Sequence, residues 1–279
     1  MLLLLGASAP SGMAGDDDAG FEKMPPPKPG DWLYVHKEPG QSIEEYRRDC
    51  RNRKTKTRRI IYIQPLGEIR RTKADLIETL REYLSIFFDS ECRVLDPIPL
   101  PKEAFHPKRR YGWDQYDADY LLRALRGRVP DDAVAVAGIT DQDLFYRDMN
   151  FVFGLGSFGE RVGVYSIRRY GETYEGQPGD CTLLKRTLKV ANHEIGHILG
   201  MDHCIEYKCT MNGSNSLPEA DSRPIHLCPP CLKKLQWNLG FDPIERYGKL
   251  RDFYARIGQT DDAEFLAKQI ARLQKRPDR

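Results

Sequence analysis

No stretch of this chain approaches the ~20 consecutive apolar residues that cross a bilayer, so no membrane-spanning helix is expected and no membrane partner. A net excess of charge of either sign is nearly missing as well. Forty-three Lys and Arg against 41 Asp and Glu leave +2 over 279 residues, too small an excess to call for nucleic acid or an acidic substrate. Cysteine is sparse at seven residues, and a chain of this length does not need disulfides to stand in for a core. A full export signal is lacking too. The leucines at positions 2–5 have no basic flank and give way at once to glycine and serine, and Met13 or Met24 is an alternative start. A cytoplasmic monomer is expected, with Cys50, Cys92 and Cys181 as reduced thiols, the last two buried.

What is present is concentrated between residues 193 and 231. If residues 183–199 form a helix, His193 and His197 project from one face on successive turns, the spacing two imidazoles need to share one zinc. His203 cannot join them on that helix. Six further helical residues would carry it about 9 Å along the axis, whereas ligands at about 2.0 Å from one metal lie within about 3.5 Å of each other. The chain must turn, and Gly200 can enter the left-handed conformation that ends helices. Glu194 then lies beside the open fourth position of the metal, where a bound water needs a base. Beyond His203 come Cys204, Cys209 and Met211, then Cys228-Pro-Pro-Cys231. Four thiolates make a closed tetrahedral set, structural rather than catalytic. Because Cys204 adjoins His203, a zinc there would tie down the third histidine. His226 is a competing ligand, although four cysteines already complete the site.

The extended pattern H-E-x-x-H-x-x-G-x-x-H is the metzincin signature. With the cysteines that follow, it resembles the archaemetzincin family, zinc metallopeptidases that carry a second, four-cysteine zinc. The resemblance runs from His193 to Cys231 with softer echoes from about residue 60, and leaves the first 30 residues uncovered. The gap between Met211 and Cys228 is one residue shorter than the family pattern, a loop change that puts no ligand in doubt. The resemblance implies that Met211 is the methionine of a turn beneath the histidines. It also implies that the strand at 161–168 is the sheet edge along the cleft, open to an extended peptide by strand addition. The implied fold class is α+β: a metzincin-like zincin domain with a twisted mixed sheet, an active-site helix, a four-cysteine zinc site and C-terminal helices.

Along the chain, residues 6–30 carry few core-forming side chains and are expected to be a disordered or loosely attached arm. The basic run from Arg47 to Arg59 has no interleaved aromatics and reads as a solvated helix leading into a charged loop. Strands are expected at 59–64, from Cys92, and at 133–139, 150–154 and 161–168, the last two joined through Gly154, Gly156 and Gly159. Helices are expected at 73–88 with Thr72 as cap, at 117–128, from about 182 to 199 with Leu184, Leu188, Ala191, Ile195 and Ile198 facing the core, and at 232–239. A helical hairpin follows, opened by Pro243, with Asp261 capping its second helix. Asp141 and Asp143 read as turn-capping residues rather than a calcium site. The domain division is an arm at 1–30, a catalytic domain at 31–240 and a hairpin at 241–279 packed on it.

The chemistry expected is peptide hydrolysis by a zinc-activated water, with Glu194 as general base, His193, His197 and His203 as ligands of one zinc, and the four cysteines around a second. The alternative is a zinc-stabilised binding protein for nucleic acid or another protein. Glu194 argues for the enzyme, since a binding module needs ligands but no base.

Overall fold

The structure, a computed structural model, describes residues 19–69, 76–109, 112–171 and 182–275. Thr72, Arg110, Tyr111, Cys181 and the loop at 174–179 lie outside the described residues. Among the described residues no helix is long and apolar enough to cross a membrane.

Two short helices, α1 (Trp32–Val35) and α2 (Ile43–Asp49), precede the sheet. Ser42 and Glu45 close a reciprocal capping box that starts α2. The sheet follows from β-branched and small apolar runs. Strand β1 (Ile60–Pro65) pairs in parallel with β2 (Cys92–Val94) on one side and with β5 (Ala133–Thr140) on the other. Every residue of β1 and β5 is buried, as expected for strands covered on both faces. Helix α3 (Leu76–Phe87) connects β1 to β2, and α4 (Ala118–Arg126), capped by Asp117, leads into β5. A smaller sheet is formed by β3 (Phe105–His106), β4 (Gln115–Asp117) and β6 (Leu144–Phe145).

The main sheet ends in β7 (Gly154–Gly156) and β8 (Val162–Ser166), and its order is β2-β1-β5-β8-β7. Only β7 runs antiparallel to its neighbour. The strand expected at the edge is therefore interior: β8 pairs with β5 on one side and β7 on the other. Of the three glycines expected to join the strands at 150–154 and 161–168, Gly154 and Gly156 belong to the edge strand itself, while Gly159, with φ +89°, lies in the turn after it. The expected strand at 150–154 is correspondingly displaced, leaving only an isolated bridge at Val152.

Alternating side chains divide the core. Ile61, Ile63, Ala135, Ala137, Ile139 and Tyr165 face a layer containing α3 and the long helix α5 (Thr182–Ile198). Ile60, Tyr62, Val136, Val162 and Val164 face α4 and the smaller sheet. Leu80, Leu84, Leu188 and Ile195 are wholly buried, each contributing about 1.5–3 kcal/mol relative to exposure. After α5 come α6 (Leu217–Asp221), α7 (Pro229–Leu239), α8 (Pro243–Arg256) and α9 (Thr260–Gln274). The last two form a hairpin joined to the rest of the protein by polar contacts among others: Tyr83 and Tyr254 hydroxyls at 3.1 Å, and Lys185 to Asp262 at 2.7 Å. Helix α9 starts one residue before Asp261; its N-cap is Gln259, with no side-chain cap bond.

The described part of the N-terminal arm, residues 19–30, is less loose than its composition suggests. Residues 19–30 lie against the protein, with Met24 N–H donating to Glu206 O at 2.9 Å and Lys208 N–H to Glu22 O at 2.8 Å. Phe21 supplies the anchor, edge-on to His226 and Phe265. Asp143 is held by Arg169 at 2.6 and 2.7 Å and by Gln115 at 2.8 Å. It belongs to a structural ion pair beside the cleft.

Candidate metal centre

Helix α5 places His193 and His197 on one face with ring centroids 4.5 Å apart. It ends in a Schellman turn. Gly200 has φ +87°, its N–H donates to His197 O at 2.9 Å, and Met201 N–H donates to Gly196 O at 3.0 Å. The unsatisfied carbonyls of the last turn are met from the segment ahead of β1. Asn52 donates to Ile198 O at 3.0 Å, Tyr46 to Leu199 O at 2.8 Å and Gln41 to Gly200 O at 3.1 Å. The turn then returns His203 to within 5.1 Å of the His193 ring and 4.8 Å of the His197 ring.

Hydrogen bonds decide which nitrogen of each ring faces inward. His193 Nδ1 meets Thr210 O at 3.0 Å, His197 Nδ1 meets Met201 O at 2.7 Å, and His203 Nδ1 meets Glu38 Oε1 at 2.8 Å. Each partner is a pure acceptor, so each Nδ1 carries the proton and each Nε2 keeps a lone pair. The Nε2 atoms of His193 and His197 lie 3.0 Å apart with no hydrogen to share. Lone pairs converging at that distance fit a common cation, whose tetrahedral ligands stand about 3.3 Å apart. Burial pushes His193 down to about 3, and burial holds His197 well below its usual value. Both are neutral imidazoles, the form that ligates.

Glu194 is 5% exposed, and burial alone pushes its carboxyl up to about 8. A dication nearby favours the carboxylate and opposes that shift. Strand β7 approaches it closely. A Cβ on Gly154 would stand 2.3 Å from Glu194 Oε1 and 2.5 Å from its Cδ, and one on Gly156 would stand 2.9 Å from His197 Cβ. Only glycine lets the edge strand lie against the helix there. Gly154→Ala is therefore expected to push the Glu194 carboxylate aside and lower peptide turnover roughly 10- to 100-fold, with zinc content unchanged. Turnover equal to wild type, measured beside metal analysis, would show that the carboxylate tolerates displacement.

Met211 packs against α5 at a second glycine, Gly196, whose Cβ would lie 2.4 Å from the methionine Sδ. Behind it the sulfur atoms of Cys204, Cys209, Cys228 and Cys231 gather within 4.8 Å of one another, all buried. Cys204 and Cys228 Sγ are 3.6 Å apart, close to the about 3.8 Å separating thiolates around one zinc. Backbone N–H groups of Met211 and Cys228 point at Cys209 Sγ from 3.5 and 3.3 Å, as acceptor thiolates require. Hydrogen bonds from the other three thiols hold Cys204 well below its usual pKa. His226 is not part of this group; its ring stacks on Phe265 at 3.9 Å. Within the described residues, Cys50 and Cys92 are free thiols, Cys92 buried.

A cleft of about 740 Å³ opens over the histidines, lined by Glu194, Leu155, Phe158, Phe153, Leu217 and Glu38 among others. Sequence reasoning missed Trp32, Glu38 and the loop from Tyr146 to Phe153. That loop is held by Arg109, which donates to Arg147 O at 2.7 Å and Met149 O at 3.0 Å. A local pattern signals none of them, because each acts across a long stretch of chain.

A mixed sheet with a short antiparallel edge over a histidine-bearing helix, followed by a turn to a third histidine, defines a metzincin-type zinc metallopeptidase. The model of peptidase family M54 matches residues 107–237. Archaemetzincin-2 of Mus musculus is 36% identical over 264 residues, covering 82% of this chain and 74% of that protein. Archaemetzincin of Pyrococcus furiosus is 35% identical over 188 residues, 66% of this chain and 95% of its own. Among solved structures, archaemetzincin of Methanopyrus kandleri superposes with a TM-score of 0.56 at 29% identity, covering 67% of this chain and 98% of that one. That of Archaeoglobus fulgidus, complexed with malonate, gives 0.52 at 31%, covering 63% and 99%. This chain belongs to the archaemetzincin family and is a zinc metallopeptidase.

Proposed function

We propose that the chain hydrolyses peptide bonds at a zinc held by His193, His197 and His203, with Glu194 as general base, and that Cys204, Cys209, Cys228 and Cys231 hold a second, structural zinc. The observation that carries this reading is the inward convergence of imidazole lone pairs beside a buried carboxylate. A zinc ion in this set supplies Lewis acidity toward water and the scissile carbonyl. Glu194 takes a proton from the attacking water and returns it to the leaving amine. The edge strand β7, not β8, is the one available to pair with an extended peptide. The apolar walls of the cleft, among them Phe153, Leu155 and Leu217, exclude water and take substrate side chains. The division into a catalytic part at 31–240 and a packed hairpin at 241–279 belongs to the same proposal. So does a cytoplasmic location, which suits the free thiols Cys50 and Cys92.

Metal analysis tests the two-site reading. The chain as purified is expected to hold two zinc ions. Mild chelation is expected to remove one of them, with the fold kept, because the histidine set leaves an open position and the cysteine set does not. A fully loaded protein holding one zinc would contradict it.

A further inference from the structure

We infer that Glu38 is a positioning residue of the histidine site, orienting His203 and strengthening its hold on the metal; this rests on the proposed zinc site. The three histidines are not held alike. His193 and His197 ride on α5, and their outer nitrogens meet neutral backbone carbonyls. His203 lies beyond the helix end, and among the three it alone has a carboxylate at Nδ1, Glu38 Oε1 at 2.8 Å. The same oxygen accepts from Trp32 Nε1 at 2.9 Å, and the Trp32 ring stands edge-on to His203, centroids 5.1 Å apart at 80°. Both faces of the arrangement are fixed. Trp32 N–H donates to Glu219 Oε1 at 2.9 Å, and a Cβ on Gly213 would stand 2.4 Å from the indole Cδ1, so glycine alone leaves the ring its place.

An anionic acceptor at Nδ1 fixes the ring's tautomer and tilt and makes Nε2 a stronger donor to a cation than a carbonyl would. The ligand without helical support receives the stronger partner. Glu38 reaches it across 165 residues of chain, from a segment ahead of the residues that match the family model. The segment around Trp32 and Glu38, which also supplies Gln41 to the end of α5, is thus part of the metal centre and not a leader to it.

The test uses the full chain as wild type, Glu38→Gln, Glu38→Ala and Trp32→Phe. The histidine site is emptied by mild chelation and titrated with zinc against a chromophoric chelator, then with cobalt(II), whose visible bands report ligand geometry. Glu38→Ala is expected to bind zinc about 10- to 100-fold more weakly and to shift the cobalt bands, with the cysteine-held zinc retained. Glu38→Gln, which keeps an oxygen acceptor but no charge, is expected to lose less, and Trp32→Phe less again. Zinc affinity of Glu38→Ala within twofold of wild type, with an unchanged cobalt spectrum, overturns the inference. Should Glu38→Ala fail to fold, the near-isosteric Gln variant decides: a loss of several-fold supports the role and no loss overturns it. A wild type that takes up no zinc at the histidines would sink the proposed site itself, a result distinct from equal affinity in wild type and variants.

Discussion

Glu194→Gln is expected to lower peptide turnover at least about 100-fold while leaving both zinc sites filled. The substitution keeps the side chain's shape, so the close passage of Gly154 and Gly156 over the helix is undisturbed. It also leaves all three Nδ1 contacts intact, because none of them involves Glu194. What it removes is the carboxylate that α5 places next to His193 in the cleft. The measurement is steady-state hydrolysis of a peptide library with metal content determined in parallel. Activity equal to wild type would remove Glu194 from the mechanism. Activity lost together with histidine-site zinc would instead show that the carboxylate supports the metal site.

How much of this site could be read beforehand depended on how local each contact is. The histidines, Gly200 and the cysteines were legible because helical spacing, a helix stop and short cysteine gaps are properties of neighbouring residues. The core face of α5 was legible for the same reason: Leu184, Leu188, Ala191, Ile195 and Ile198, chosen by periodicity, are all buried. Strand order was not. Gly154 and Gly156 read as turn formers, since glycine's usual value lies in conformational freedom. Their actual use is the absence of a side chain where Glu194 and His197 press on the strand. That use is visible only once the helix is in place, whereas the edge assigned to residues 161–168 rested on the family resemblance and lies one strand inside β7. Glu38 was hidden by distance along the chain. For residues 19–30, composition understated the attachment, because two backbone hydrogen bonds and the anchor Phe21 tie down a polar segment that has an edge to pair with.

Cys228→Ala is expected to lose the second zinc, to lower the thermal midpoint by roughly 10 °C or more, and to weaken zinc binding at the histidines about tenfold. The expected link is mechanical. His203 and Cys204 are adjacent, and Cys204 N–H donates to Met211 O at 2.9 Å, so a zinc held by the sulfurs would fix both the third histidine and the methionine under α5. The segment has other supports: Asn212 Nδ2 donates to Cys204 O at 2.7 Å and Tyr207 O at 2.9 Å, and the arm pairs at residues 206 and 208. Those bonds should keep the variant folded, which makes the coupling measurable. Circular dichroism establishes the fold, and zinc titration of chelated wild type and Cys228→Ala compares the histidine sites. A variant that unfolds outright shows that the second zinc contributes folding free energy and moves the comparison to Cys209→Ala. Equal affinity of the histidine site in two folded proteins would mean that Glu38 and Trp32 hold His203 by themselves, without help from the cysteine-bound zinc.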